Sequence, residues 1–236
     1  MSQVLTDTIG SLRDWRTVAH YIDHSKLQPQ TTETQVRRLC QEALHYGFPT
    51  IFVHPWYVPS AASVLRGTNV KLGTPIGFTQ GGTFSCVKRF EAEEALRLGA
   101  RELDMVINIG ALKSGRNDRV ESDIRGVVTV AHDAGVILKV ILETALLTRE
   151  EKILACELSV AAGADFVKTS TGLLGGATIE DVRLMRSVVG DRARVKASGG
   201  IRTAGDLTRM IEAGAERIGT TSGVSIMREL HAPELS

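Results

Sequence analysis

Asp104, Lys139, Lys168 and Lys196 stand within or at the ends of four successive apolar runs, LDMVINIG, VILKVIL, DFVKTS and RVKASGG. Runs of this composition read as parallel strands buried on both faces. Lys and Asp are almost never fully buried without a partner, so three lysines and a carboxylate on neighbouring core strands point to a pocket that uses buried charge. An ordinary lysine, titrating at about pH 10.4, is an inert ammonium at neutral pH. Desolvation and a second cation both disfavour the ammonium, and a drop of about 3 units leaves enough free amine to attack a carbonyl. Lys168 and Lys196 on adjacent strands fit such a pair. Asp104 opposite them can move protons while a carbinolamine and then an imine form. The competing reading is structural, since a lysine at a strand end also pairs inside the core or lets its ammonium emerge at the rim. Three in succession beside an aspartate favour the chemistry. Lys139 fits either reading, as a partner of Asp104 or of Glu143.

A second constellation is the set of small-residue turns after the last three predicted strands of the chain: STG at 170–172, SGGIRT at 198–203 and GTTSG at 219–223. Glycines let backbone N–H groups approach an anion closely, and turns at the ends of late barrel strands commonly hold phosphate. Three in sequence imply a phosphorylated substrate rather than plain tight turns. His24 and His54 follow the first two predicted strands but have no acidic or thiol partner at ligand spacing, so no metal site is expected.

The elements that must position these groups are punctuated by glycine. In EALHYGFPTIFV, EALRLGARELDMV, VAHDAGVILKVIL, SVAAGADFVKTS and MIEAGAERIGTTS, an amphipathic stretch ends at Gly47, Gly99, Gly135, Gly163 or Gly214 and a strand-like run follows. Thr32 with Gln35 and Thr148 with Glu151 have capping-box spacing, and Thr178 with Asp181 resembles it. The predicted strands are 20–23, 50–53, 71–76, 102–106, 137–142, 165–168, 194–197 and 217–220. Eight strands alternating with helices imply a closed (β/α)8 TIM barrel forming one catalytic domain over 1–236, with 1–15 as an extra helix or arm and 231–236 as a loose tail. Active sites of such barrels lie at the C-terminal strand ends, where the four charged residues fall.

A net charge of +1 removes the electrostatic argument for nucleic acid or an acidic membrane surface. The aromatic residues form no stacking platform for single-stranded nucleic acid. Cys40, Cys86 and Cys156 are an odd, widely spaced set without a CxxC pair, expected to be buried structural thiols. MSQVLTDTIGSLRDW lacks the basic start and apolar core of a signal peptide, and no apolar run reaches membrane-spanning length, so a cytoplasmic protein is expected.

From YIDHS at 21–25 to GVSIM at 223–227 the chain resembles the deoxyribose-phosphate aldolase family, through FEAEEAL, ELDMVINIGALKSG, ESDIRGVV, LKVILETALLT, AGADFVKTSTG, GGAT, VKASGGIRT and AGAERIGTTSG. The resemblance implies a class I aldolase on a TIM barrel that cleaves 2-deoxy-D-ribose 5-phosphate to acetaldehyde and glyceraldehyde 3-phosphate. It implies no cofactor and a homodimer. The imine-forming lysine of the VKTSTG motif becomes Lys168, and the second lysine, in VKASGG, becomes Lys196, the cation that makes the first give up its proton. Asp104 becomes the proton-transfer carboxylate. The phosphate site becomes the backbone amides of Gly172, Gly199, Gly200, Ile201, Arg202, Gly219, Thr221 and Ser222.

Departures gather at the first three strands. Relatives often read DHTxLKP, VCVNP and GFPxG where this chain has DHSKLQP, with Lys26 and Gln28, IFVHP, with Phe52 and His54, and GFTQG. The loop after Lys168 is also one residue shorter than the form that carries GGAT. These changes leave open a related aldolase with a larger or more polar donor touching Lys26 or His54, and a non-catalytic phosphate-binding barrel in which Lys168 is a structural charge.

Overall fold

The structure is a computed structural model that describes residues 12 and 14–235. Eight parallel strands close into a barrel in sequence order: β1 (Ile22–Lys26), β2 (Thr50–Val53), β3 (Lys71–Ile76), β4 (Glu102–Val106), β5 (Ile137–Ile141), β6 (Phe166–Lys168), β7 (Arg194–Ser198) and β8 (Arg217–Thr220), with β8 pairing back onto β1. The helices are α1 (Trp15–Ala19), α2 (Glu33–Tyr46), α3 (Val58–Leu65), α4 (Ser85–Arg97), α5 (Ile109–Lys113), α6 (Asn117–Asp133), α7 (Arg149–Ala162), α8 (Ile179–Val189), α9 (Ala204–Glu212) and α10 (Gly223–Glu229). This is the expected TIM barrel.

Seven predicted strands agree with the structure to within a residue at each end, whereas β1 starts at Ile22 and runs to Lys26 instead of spanning 20–23. The polar IDHSK run hid the strand's true extent, because Asp23 turns into a charged barrel interior instead of an apolar one. His24 lies in β1, not after it; its Nε2 is 2.9 Å from Glu42 of α2, on the outside of the barrel. The alternation of a strand then sends Ser25 inward and Lys26 outward.

All five glycines predicted to end helices have positive φ, between +67° and +119°. The capping boxes at Thr32 and Thr148 are complete; Thr178 accepts from Asp181 N, and Thr203 with Asp206 forms a further box. Most of the arm expected at 1–15 lies outside the described residues. The tail is less loose than expected: Ala232 is buried, His45 donates to Pro233 O at 2.9 Å and Arg228 pairs with Glu234.

The hydrophobic core lies between barrel and helices. Ile51, Leu103, Val140, Val167, Val195 and Ile218 project outward from their strands and pack against Val36, Ile124, Cys156, Val182, Leu207 and Ile226 of the helical layer. Cys40 and Cys156 are buried thiols, which burial pushes up to about 11 and about 12. Cys86, in the first turn of α4, is exposed, contrary to expectation, because the start of that helix faces solvent beside Phe84.

Candidate active site

Strand register decides which charges meet. The β6–β7 register sets Lys168 beside Lys196, and the β4–β5 register sets Asp104 beside Lys139. Inside the barrel, Asp104 Oδ2 accepts from both Lys168 Nζ and Lys196 Nζ at 2.7 Å, while Oδ1 lies 3.2 Å from Lys139 Nζ. The four residues that the apolar runs singled out therefore form one cluster. Lys139 pairs with Glu102 and Asp104; Glu143, the other partner considered for it, faces the loop after β6.

The cluster extends to groups that the sequence reading missed. Asp23 Oδ2 lies 2.5 Å from Lys196 Nζ, and its Oδ1 accepts from Arg217, which also donates to Thr50 Oγ1 at 2.6 Å. Three carboxylates, Asp23, Glu102 and Asp104, face four cations, Lys139, Lys168, Lys196 and Arg217. One positive charge is in excess in a dry interior, so loss of one lysine proton is electrostatically favoured. The signal for Asp23 and Arg217 was available in the sequence: each is a charge at a strand position, in YIDHS and ERIGTT.

Burial by itself would raise the Asp104 carboxyl, but Lys139, Lys168 and Lys196 around it hold it far below the usual carboxylate range. Burial likewise opposes ionisation of Asp23 and is outweighed by Lys196, Arg217 and Lys139. Lys196 goes the other way: burial pushes its ammonium down to about 8, against the pull of Asp104 and Asp23 and with help from Lys168 and Lys139. Lys139, also desolvated, is raised by Asp104, Glu102 and Asp23. Lys139 is thus held as a cation, whereas Lys196, next to Lys168, is the lysine whose ammonium burial disfavours.

A cavity of about 180 Å³ opens above the cluster at the C-terminal strand ends. Lys168 lines it, while Lys196, Lys139 and Asp104 lie beneath. The opposite wall is built from the turns after β6, β7 and β8: Gly172, Gly199, Gly200, Ile201, Arg202, Gly219 and Thr221 all line it. Among the described residues, the N–H groups of Gly172, Gly199, Gly200, Ile201 and Thr221 have no acceptor in the chain, which leaves a concave array of donors facing the cavity. Two residues of the expected amide set are corrected. Arg202 N donates to Asp206 at 3.1 Å, and Ser222 N donates to Thr220 Oγ1 at 2.9 Å, with Ser222 outside the cavity wall. The Arg202 amide is taken by a carboxylate in the first turn of α9, and the Ser222 amide by the side chain of the last residue of β8.

The turns are locked to one another. Ser170 Oγ donates to Ser198 O and Ser198 Oγ donates to Ser170 O, both at 2.6 Å. Buried Glu143, at φ +57°, accepts from Thr171 N and Oγ1 and so anchors the β6 turn from β5. Gly199 and Gly200 have φ of +88° and +79°, and a Cβ on Gly199 would stand 2.9 Å from Gly175 O. The chain can bring the β6 and β7 turns this close only with glycine there.

The two substitutions expected to touch the donor do not enter the cavity. Lys26 points outward into a groove shared with Gln35 and Arg38 of α2, which corrects its assignment as a substrate contact. His54 donates to Leu27 O at 2.9 Å and stacks edgewise on Phe78, tying the β1 loop to the β2 loop instead of facing the substrate space. Ser25, Leu27 and Gln28 supply that side of the wall.

Residues 17–232 match the model of the DeoC/LacD family aldolases. The chain is 54% identical over 220 residues to a deoxyribose-phosphate aldolase of Carboxydothermus hydrogenoformans, covering 92% of this chain and 96% of that one. It is 57% identical over 213 residues to the Thermococcus gammatolerans deoxyribose-phosphate aldolase, covering 89% and 95%. A tetrameric deoxyribose phosphate aldolase from Aeropyrum pernix superposes with a TM-score of 0.89 at 35% identity, covering 98% of this chain and 99% of that one.

Proposed function

The chain belongs to the DeoC/LacD aldolase family, and on that premise we propose that it cleaves 2-deoxy-D-ribose 5-phosphate to acetaldehyde and glyceraldehyde 3-phosphate through an imine on Lys168. The observation that carries this reading is that Lys168 alone of the buried charge cluster reaches the cavity, with a second ammonium on the same carboxylate oxygen. The free amine of Lys168 attacks the substrate aldehyde, and loss of water from the carbinolamine leaves a protonated imine. That cation draws the C2–C3 electron pair as the C3 hydroxyl loses its proton, so glyceraldehyde 3-phosphate departs and an enamine remains. Protonation of the enamine at C2 and hydrolysis then release acetaldehyde. Asp104 is the carboxylate within reach to pass these protons, and the donor array of the β6–β8 turns suits the phosphate.

The experiment is a product assay with deoxyribose 5-phosphate, together with borohydride reduction in its presence, which should add mass to the peptide carrying Lys168. Retention of both halves of the site, amine cluster and anion turns, favours this reaction over the non-catalytic barrel. The aldolase with a larger donor loses its support at Lys26 and His54, which face elsewhere.

Two further outcomes are expected. Lys196→Met removes the second cation, so activity at pH 7 should fall by about 100-fold and recover in part as the pH is raised; a pH–rate profile identical to wild type would show the two lysines to be uncoupled. Gly200→Val leaves a side chain in open space but puts a β-branched residue at φ +79°, which reshapes the amide array. Turnover of phosphorylated substrate should drop by about tenfold or more while that of unphosphorylated aldehydes holds. Equal losses on both would point to misfolding instead.

The homodimer implied by family resemblance belongs to the same proposal, with light scattering as its check. No helix among the described residues is long and apolar enough to cross a membrane; a cytoplasmic location is a separate part of the proposal.

A further inference from the structure

Phe52 of β2 is buried, yet it stands apart from the hydrophobic layer, inside the barrel among the charges. Its ring centroid lies 3.9 Å from Lys196 Nζ, 4.8 Å from Lys139 Nζ and 5.8 Å from Lys168 Nζ. Register sets it directly beside Gly73 of β3, and a Cβ at Gly73 would sit 2.4 Å from the ring's Cζ. The ring and the glycine are therefore a fitted pair. Phe52 does not line the cavity, so it acts on the lysines and not on the shape of the donor site.

An aromatic face attracts a cation, and in a dry interior the attraction is little screened. Lys196 is faced by Asp23 from β1, Asp104 from β4, Lys139 from β5, Lys168 from β6 and Arg217 from β8, with Glu102 beyond Lys139. Because Lys168 and Lys196 share one Asp104 oxygen at equal distance, a group that favours the ammonium of one changes the field at the other. The ring lies far closer to Lys196.

We propose that Phe52 is a positioning residue: its ring face holds the Lys196 ammonium on Asp104, where it stands as the second cation beside Lys168, the amine that meets the carbonyl. This inference rests on the imine reading of Lys168. Burial works against the Lys196 ammonium, and the ring offsets that penalty without adding a carboxylate that would hold both protons in place.

The test is the pH dependence of cyanoborohydride-trapped adduct on Lys168, with acetaldehyde as the probe, in wild type, Phe52→Leu and the double variant Phe52→Leu/Gly73→Ala. Loss of the ring should move the midpoint of trapping upward by about half a unit to one unit, cutting adduct at pH 7 by roughly three- to tenfold. The double variant refills the space, since Gly73 lacks a positive φ and its new methyl occupies the volume the ring gave up. It should regain thermal stability and keep the shifted midpoint. A midpoint unchanged in Phe52→Leu, or restored to wild type by the refilling, would show that the ring only fills space and would overturn the inference. Absence of a Lys168 adduct in the wild type would sink the imine reading itself, and this inference with it.

Discussion

Replacing Lys168 with arginine should leave a folded protein that neither forms a reducible adduct nor cleaves substrate, with kcat/KM down by roughly 10³-fold or more. Arginine keeps the positive charge beside Asp104 but stays protonated at any workable pH, so it can satisfy the carboxylate and cannot attack a carbonyl. Lys168→Met tests the other half: it removes the charge as well, yet Lys139 and Lys196 still partner Asp104, so the fold should survive that change also. The two variants should be equally inactive. The measurement is intact-protein mass after borohydride reduction with substrate, alongside product formation. A trapped adduct that persists in Lys168→Arg and maps to Lys196 would reverse the assignment of the two lysines.

How much of this was legible in the sequence follows from where each residue's signal lies. Lys139, Lys168 and Lys196 announced themselves because each interrupts an apolar run, and the barrel brings those runs side by side in chain order. Asp23 gave the same signal more faintly, since it falls at the end of the predicted strand 20–23 in a polar IDHSK run; the interior it faces is built of charge, and only the closed sheet reveals that. Lys26 and His54 misled for a geometric reason. Their positions beside the mouth are right, but the alternation of β1 turns Lys26 away from the substrate, and a carbonyl of the neighbouring loop claims the His54 ring. Which amides of a glycine turn remain free is likewise invisible in one dimension: Arg202 and Ser222 belong to the turns, and their N–H groups are taken by Asp206 and Thr220. Phe52 was noticed only as a departure from relatives, because nothing in a linear sequence says that a ring will meet three ammonium groups.

Asp104→Asn should be the most damaging single change to the site as a whole, costing both activity and stability. Asp104 is the one group bound to all three lysines. An amide in its place leaves the three lysines and Arg217 with only Asp23 and Glu102 against them, and removing one partner from a buried ionic network costs about 3–5 kcal/mol. Loss of the proton-transfer carboxylate should separately lower kcat by about 10² to 10⁴-fold. The pH dependence distinguishes this from ordinary core damage. The Asp104 carboxyl sits far lower in the folded chain than in the unfolded one, so its contribution is complete above about pH 4 and is lost as the pH falls further toward its folded value. The stability gap between wild type and variant, from urea midpoints, should therefore be constant near neutrality and narrow below about pH 4. On the alkaline side Lys196, lowered from 10.5 to about 8, destabilises the fold while it is protonated, and that penalty is relieved as the pH rises from about 8 toward 10.5. Without Asp104 the Lys196 ammonium loses an attractive partner and releases its proton sooner, so relief in the variant should begin at lower pH than in the wild type. A gap that stays the same at every pH would mean that Asp104 contributes packing and no charge, and the account of the cluster as an electrostatic device would be wrong.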